Sequence, residues 1–331
     1  MRAIVVDQFG PPERLTVRDA AMPAPGPGEV LVAVEAAPVN FVDLLVVGGT
    51  YQFLPQLPFI PGKGPAGIVR ARGSDVTSLQ IGDRVLAMAE QGGYAEAVAV
   101  AADQCYRLPA RMSFTEAAAL SLVYDTAWFA LRERGRLEPG ETVLVLGASG
   151  GVGWAAVQLA RAMGACVLAG ITRAEKSASV LAAGADAVID LSREPLRETL
   201  REQVHAATDG HGADIILDPL GGAVFESALR ALAWRGRLVV IGFSTGAIPS
   251  VRTNYLLLKN IEVSGLQISD YRKRRPAQVR AAFAEIFAFY EQRKITPAPA
   301  TEFPLERAGE ALAALRDRRI DGRAVLCPAA R

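Results

Sequence analysis

At 331 residues the chain is long for one hydrophobic core and short for three, so two domains are expected. Half of it is hydrophobic and 21% is charged, and a formal net charge of +1 gives no footprint for nucleic acid or an acidic membrane surface. No apolar run reaches a membrane span, the start lacks a signal-peptide core, and three scattered cysteines with two histidines form neither a disulfide framework nor a zinc set, so a reducing cytoplasm is the expected setting.

In chain order, the first hundred residues read as short strands broken by turns. Residues 1–6 and 30–36 are β-rich and are separated by the Pro/Gly-rich stretch 23–28. A further strand opens at Gly82-Asp83-Arg84-Val85, and residues 94–100 alternate like a half-buried strand, so an irregular β-barrel or sandwich is expected. Ser113-Phe114-Thr115-Glu116 has the form of a capping box ahead of an Ala/Leu-rich helix.

From Thr142 the texture becomes a regular alternation. Strands are expected at 142–146, 166–171, 187–189, 214–217, 237–241 and 261–266, with helices at 152–163, 174–183, 195–207 and 223–233. Short, fully apolar strands joined by helical crossovers specify a parallel sheet covered on both faces, the doubly wound α/β fold. Beyond residue 265 a helix over 276–293 and a short strand at 324–326 complete the chain, and this tail is expected to rejoin the first part. His205 and His211 read as surface residues, and the basic run Arg272-Lys273-Arg274-Arg275 as a solvated loop.

The strongest chemical signal is the stretch from Thr142 to Gly153, in which a buried strand runs into Gly147-Ala148-Ser149-Gly150-Gly151-Val152-Gly153 and opens a helix. Glycines there let backbone N–H groups and a positive helix end approach a pyrophosphate. The usual register has alanine, Ala148, at its first glycine. The next strand ends in Thr172, followed by Arg173 and Lys176, without the carboxylate that would bond the ribose of NAD. A hydroxyl and two cations suit a 2′-phosphate instead, so NADPH is the expected cofactor.

The motifs Pro25-Gly-Pro-Gly-Glu-Val-Leu-Val32, Pro38-Val-Asn-Phe-Val-Asp43, Gly82-Asp-Arg-Val85 and Gly147 to Gly153 resemble those of the medium-chain dehydrogenase/reductases, in the same order along the whole chain. The resemblance implies a discontinuous GroES-like β-barrel catalytic domain, residues 1–123 and 265–331, around a Rossmann domain, residues 124–264. At the positions of the zinc ligands of the alcohol dehydrogenases stand Asn40, Lys63 and Gly64, so no metal is expected. What remains is similar to the zinc-free quinone oxidoreductases, including the zeta-crystallin-like proteins, through Val39-Asn40-Phe41-Val42-Asp43 and Tyr51.

That resemblance implies Asn40 beside the nicotinamide, Tyr51 at the substrate cleft, and Thr126 on the cofactor carboxamide. Phe243 and Ser244 would line the nicotinamide side, and Arg318 would reach the cofactor. It also implies a homodimer, for which residues 261–266 are a candidate edge strand. Two departures stand out. Asp190-Leu191 replaces an Asn-Tyr pair that serves the 2′-phosphate, leaving Arg173 to take that part. Lys63 sits in Gly62-Lys63-Gly64, where relatives keep an acid at position 64; it is expected at the surface, with a cleft-facing cation that stabilises an oxyanion as the alternative.

With neither metal nor catalytic histidine, the cofactor carries the chemistry and the protein orients it. Reduction of a quinone is the leading expectation, with Asn40 and Tyr51 positioning the acceptor. Reduction of an enal or enone is the alternative within enzymes, with Tyr51 or Lys63 as donor to the carbonyl. A structural or RNA-binding role is the alternative outside them, against which the absence of a basic patch counts.

Overall fold

A computed structural model describes residues Met1–Pro328; Ala329, Ala330 and Arg331, inside the expected terminal segment, lie outside the described residues. The alternation that begins at Thr142 forms one six-stranded sheet in the order Ala187–Asp190, Cys166–Ile171, Thr142–Leu146, Ala213–Asp218, Leu232–Val240, Glu262–Gly265. Every neighbouring pair is parallel. Thr142–Leu146 is buried at all its positions, as a strand covered on both faces must be. Leu144, Leu168, Ile189, Leu200, Phe225 and Leu238 close one core, each burial of this kind worth about 1.5–3 kcal/mol.

Most expected elements fall within a few residues of their observed ends. Leu232–Val240 starts five residues before the expected 237 and takes the end of the expected helix 223–233, which is observed as Gly222–Ala228 followed by a 3₁₀ turn, Leu229–Ala231. The Ala/Leu-rich composition of 228–233 suits either element, and pairing with Ala213–Asp218 makes Leu232 and Ala233 strand. The expected helix 174–183 is a 3₁₀ turn, Ala174–Lys176, followed by Ser177–Ala182.

Arg2–Ile4 and Val17–Asp19 pair as a two-stranded antiparallel sheet, and the other strands form a seven-stranded sheet in the order Ala300–Pro304, Arg323–Cys327, Glu29–Val39, Ala66–Arg72, Arg84–Ala87, Cys105–Arg107, with Ala97–Ala101 also paired to Glu29–Val39. Apart from the parallel pair Ala300–Pro304 and Arg323–Cys327, the ladders are antiparallel. The capping box forms as expected: Ser113 Oγ accepts the Glu116 N–H at 3.1 Å and Glu116 Oε2 accepts the Ser113 N–H at 2.8 Å.

The chain divides into Met1–Leu122 with Pro297 onward, and Val123–Thr296. The second boundary corrects the expected return at residue 265. Residues 265–296 belong with the parallel-sheet unit because their helices are tied to Val123–Phe129 and the turn after it. Glu285 accepts hydrogen bonds from Trp128 Nε1 at 2.6 Å and Arg132 Nη2 at 2.8 Å. Phe129 also packs on Tyr271 with ring centres 4.6 Å apart.

The basic run is likewise not a solvated loop: Ile268–Arg274 is a helix, and Arg272 is buried against Asp125. Of the histidines, His211 is exposed beside Asp214, whereas His205 is half-buried, its Nδ1 2.8 Å from the Gly210 carbonyl oxygen. Among the described residues no helix is long and apolar enough to cross a membrane.

Candidate functional site

In the parallel-sheet unit the strand order reverses between Thr142–Leu146 and Ala213–Asp218, and the crevice outside the carboxyl ends of such strands is where doubly wound sheets take ligands. Thr142–Leu146 delivers the turn there, and Gly151–Ala162 starts with Gly150 as its N-cap. The left-handed residue of the turn is Gly147, at φ +63°, which explains how Ala148 replaces the usual first glycine. Ala148 itself is buried, its N–H bonded to the Gly170 carbonyl at 3.0 Å. A Cβ on Gly153 would stand 2.2 Å from the Gly147 carbonyl oxygen, so helix and turn approach as closely as backbone allows. Ser149, Gly150, Gly151 and Val152 remain partly or wholly exposed at this helix end, a cradle that fits a pyrophosphate.

Thr172 and Arg173 lie exposed just past the carboxyl end of Cys166–Ile171, and Lys176 is half-buried one turn on. Arg173 Nε is 3.7 Å from Glu175 Oε1, a loose surface contact. Asp190 pairs in register with Ile171, but its Oδ1 accepts the Ser192 hydroxyl at 2.6 Å and backbone N–H at 2.8 Å, which hold its pKa below the usual carboxylate value. Phe243 is exposed at the same edge, and the Ser244 N–H bonds to the Pro219 carbonyl at 3.1 Å. Thr126 is buried, with its N–H bonded to Asp125 Oδ1 at 3.0 Å.

Sequence reading passed over Asp218 at this edge. Its Oδ1 accepts the N–H groups of Leu220 at 2.8 Å and Gly221 at 3.0 Å, while Oδ2 is buried without a partner and burial raises the pKa. An Asp closing an apolar strand before Pro219-Leu220-Gly221-Gly222 is a turn signal that could have identified it.

The other unit gathers Asn40, Lys63, Asp43, Tyr94 and Arg323 into a buried polar cluster. Asn40 ends Glu29–Val39 and caps Phe41–Val47, where Asp43 Oδ2 accepts the Asn40 N–H at 3.0 Å. The Tyr94 hydroxyl donates to the same oxygen at 3.2 Å. The surface placement expected for Lys63 is corrected: it is 9% exposed, and its Nζ bonds Glu90 Oε2 at 2.5 Å. Flanking Gly64, at φ +65°, does not accommodate the acid that the resemblance implies at this position, since a Cβ would lie 2.1 Å from Ser121 Oγ.

Tyr51 is half-buried on the neighbouring cluster of Val6, Val46, Val47 and Phe59, edge-on to Phe53 at 6.3 Å. Arg318 is exposed in a left-handed turn before Arg323–Cys327. Arg323 carried no signal in the sequence, because its role depends on strand pairing. Among the described residues no group of three or more His, Cys, Asp or Glu is arranged to hold a metal ion.

Burial raises the Asp43 pKa to about 6, with the Asn40 N–H, the Lys63 charge and the Tyr94 hydroxyl pulling it back. A carboxyl whose pKa is higher in the fold lends stability that is full below its unfolded pKa and is lost as pH rises through the folded one. For Asp43 the loss amounts to about 3 kcal/mol between about pH 4 and 7. Urea midpoints of wild type and Asp43→Asn are therefore expected to shift in favour of the variant as pH rises across that window. A difference between the two that does not change with pH would exclude the effect.

A family model described as a zinc-binding dehydrogenase matches residues 151–286, and one described as an alcohol dehydrogenase GroES-like domain matches residues 26–110. A quinone oxidoreductase-like protein 2 homolog of Nematostella vectensis is 37% identical, covering 98% of this chain and 88% of that relative. Human quinone oxidoreductase is 35% identical over 94% of this chain and 92% of its own length. The structure of Escherichia coli quinone oxidoreductase complexed with NADPH superposes with a TM-score of 0.90 at 31% identity, covering 99% of this chain and 100% of that one.

Proposed function

Since the chain belongs to the zinc-independent quinone oxidoreductase branch of the medium-chain dehydrogenase/reductase superfamily, we propose that it reduces a quinone-type acceptor with NADPH. The observation that carries this reading is the glycine turn packed against its helix, followed by Thr172, Arg173 and Lys176 at the next strand end. The first-turn N–H groups of Gly151–Ala162 face no intrahelical acceptor and bind the pyrophosphate. Arg173 and Lys176 meet the 2′-phosphate, with the Asp190 carboxylate engaged by Ser192. Thr126 holds the carboxamide, Phe243 and Ser244 line the nicotinamide, and Arg318 contributes a cation from its turn.

NADPH supplies a hydride when bound. Asn40 and Tyr51 orient the acceptor, the Asn40 N–H and the Lys63 charge together favour the ionised form of Asp43 against its burial, and solvent protonates the reduced product. Asn40, Lys63 and Gly64 present no metal-ligand set, so the acceptor is activated by hydrogen bonding. Titration with NADPH and NADH, followed by NADPH oxidation with 1,4-benzoquinone and with an enal, tests the assignment. Fast quinone-dependent oxidation supports it, and binding without turnover of quinone overturns it. Arg173→Ala is expected to weaken NADPH binding about tenfold while leaving NADH unchanged. Equal losses for both cofactors would remove Arg173 from the phosphate site.

The protein is a homodimer through the edge strand Glu262–Gly265, which follows the helix Thr253–Lys259, where Leu257 and Leu258 are each more than 70% exposed. Sedimentation should show the wild type at twice the mass of a Leu257→Asp/Leu258→Asp variant. Equal masses would place the interface elsewhere.

A further inference from the structure

Arg323–Cys327 runs antiparallel to Glu29–Val39 with Ala324 opposite Val39, so the next residue on each side, Arg323 and Asn40, meet although 283 positions apart. Both are buried, and Arg323 Nη2 donates to Asn40 Oδ1 at 2.6 Å. A guanidinium has only donors, whereas a carboxamide has an oxygen at one end and an NH₂ at the other. The oxygen must therefore face Arg323, and Nδ2 must face away from it.

That nitrogen is buried and forms no hydrogen bond of ordinary geometry, although the Asn40 side chain is close enough to Asp43 to help hold its carboxyl ionised. A buried donor left in this state is costly unless something completes it. A carboxylate at position 40 would pair with the cation but would also put a second negative charge beside the buried Asp43. An amide keeps a donor that a carboxylate lacks.

We propose that Arg323 is a positioning residue that fixes the sense of the Asn40 amide, so that Nδ2 donates to the carbonyl oxygen of the acceptor. The proposal rests on the quinone reductase reading above. Hydride addition leaves an electron pair on that oxygen until water protonates it, with NADP⁺ as the oxidised product. The guanidinium behind the amide strengthens the donor as this charge develops.

The test uses the full chain with Arg323→Met, Arg323→Lys and Asn40→Asp. It reads kcat and KM for 1,4-benzoquinone at saturating NADPH, NADPH affinity, thermal midpoint, and the Asn40 side-chain amide signals in ¹⁵N NMR, assigned by their loss in Asn40→Asp. Arg323→Met is expected to lower kcat about tenfold or more with NADPH affinity kept, and to shift or broaden the amide pair. Arg323→Lys, still a donor-only partner, should recover most of kcat and the wild-type amide signals, while Asn40→Asp should fall at least as far as Arg323→Met. Wild-type kcat in Arg323→Met, or equal losses in the Met and Lys variants, would overturn the proposal. If the wild type binds NADPH but reduces no quinone, the functional reading fails by itself. The acceptor-oxygen role fails with it, and the amide signals still decide whether Arg323 sets the orientation.

Discussion

Gly153→Ala is expected to destabilise the dinucleotide-binding unit by about 3 kcal/mol and to weaken NADPH binding more than about hundredfold. The methyl group would stand 2.2 Å from the Gly147 carbonyl oxygen and 2.6 Å from the Ala148 Cα. Both neighbours are backbone, so no rotamer change relieves the contact. Gly151–Ala162 must instead move off the turn, taking its first-turn N–H groups away from the pyrophosphate. Gly150→Ala is the informative companion. Its φ is −82° and its Cβ would meet only the Gly147 carbonyl oxygen, at 3.3 Å, so stability should hold while the added methyl group crowds the phosphate. Urea melts followed by tryptophan fluorescence, with NADPH titrations on the same samples, separate the two effects. Wild-type behaviour of Gly153→Ala in both assays would show that the turn is not held by this packing.

Arg272→Met should cost the same unit about 3–5 kcal/mol, because it leaves Asp125 as a buried charge without its cation. Arg272 Nη2 and Nε donate to Asp125 Oδ2 at 2.6 and 3.1 Å, and the two side chains are 3% and 0% exposed. The other carboxylate oxygen accepts the Thr126 N–H, so the loss should also disturb the residue assigned to the carboxamide. Combining Arg272→Met with Asp125→Asn removes the stranded charge but keeps an oxygen for Thr126. The double variant is expected to recover most of the stability, a coupling of more than about 2 kcal/mol in the thermodynamic cycle. Urea midpoints of the four proteins measure it directly. Simple additivity would mean that the pair contributes through two unrelated contacts.

The parallel sheet was legible because Thr142–Leu146, Cys166–Ile171 and Ala213–Asp218 are short apolar runs, and their burial on both faces makes composition nearly sufficient to mark them. The glycine turn was legible for a related reason: its function is carried by backbone geometry within one strand–helix junction. Arg272 was misread because an isolated basic run normally marks solvent, and nothing nearby in the chain announces its partner Asp125, 147 positions away. Lys63 was misplaced likewise, since Glu90 meets it only after Gly62-Lys63-Gly64 is folded into the sheet domain.

By itself, then, the sequence determined the two-domain plan, the glycine turn between strand and helix and the absence of a Cys/His ligand set, all of which follow from local pattern or residue supply. Only the tertiary structure decided that residues 265–296 stay with the parallel-sheet unit and which charges are buried together. It also decided which way the Asn40 amide points. These depend on strand register and helix packing between distant segments, and a hydrogen-bonding side chain has no defined role until that packing supplies its partner.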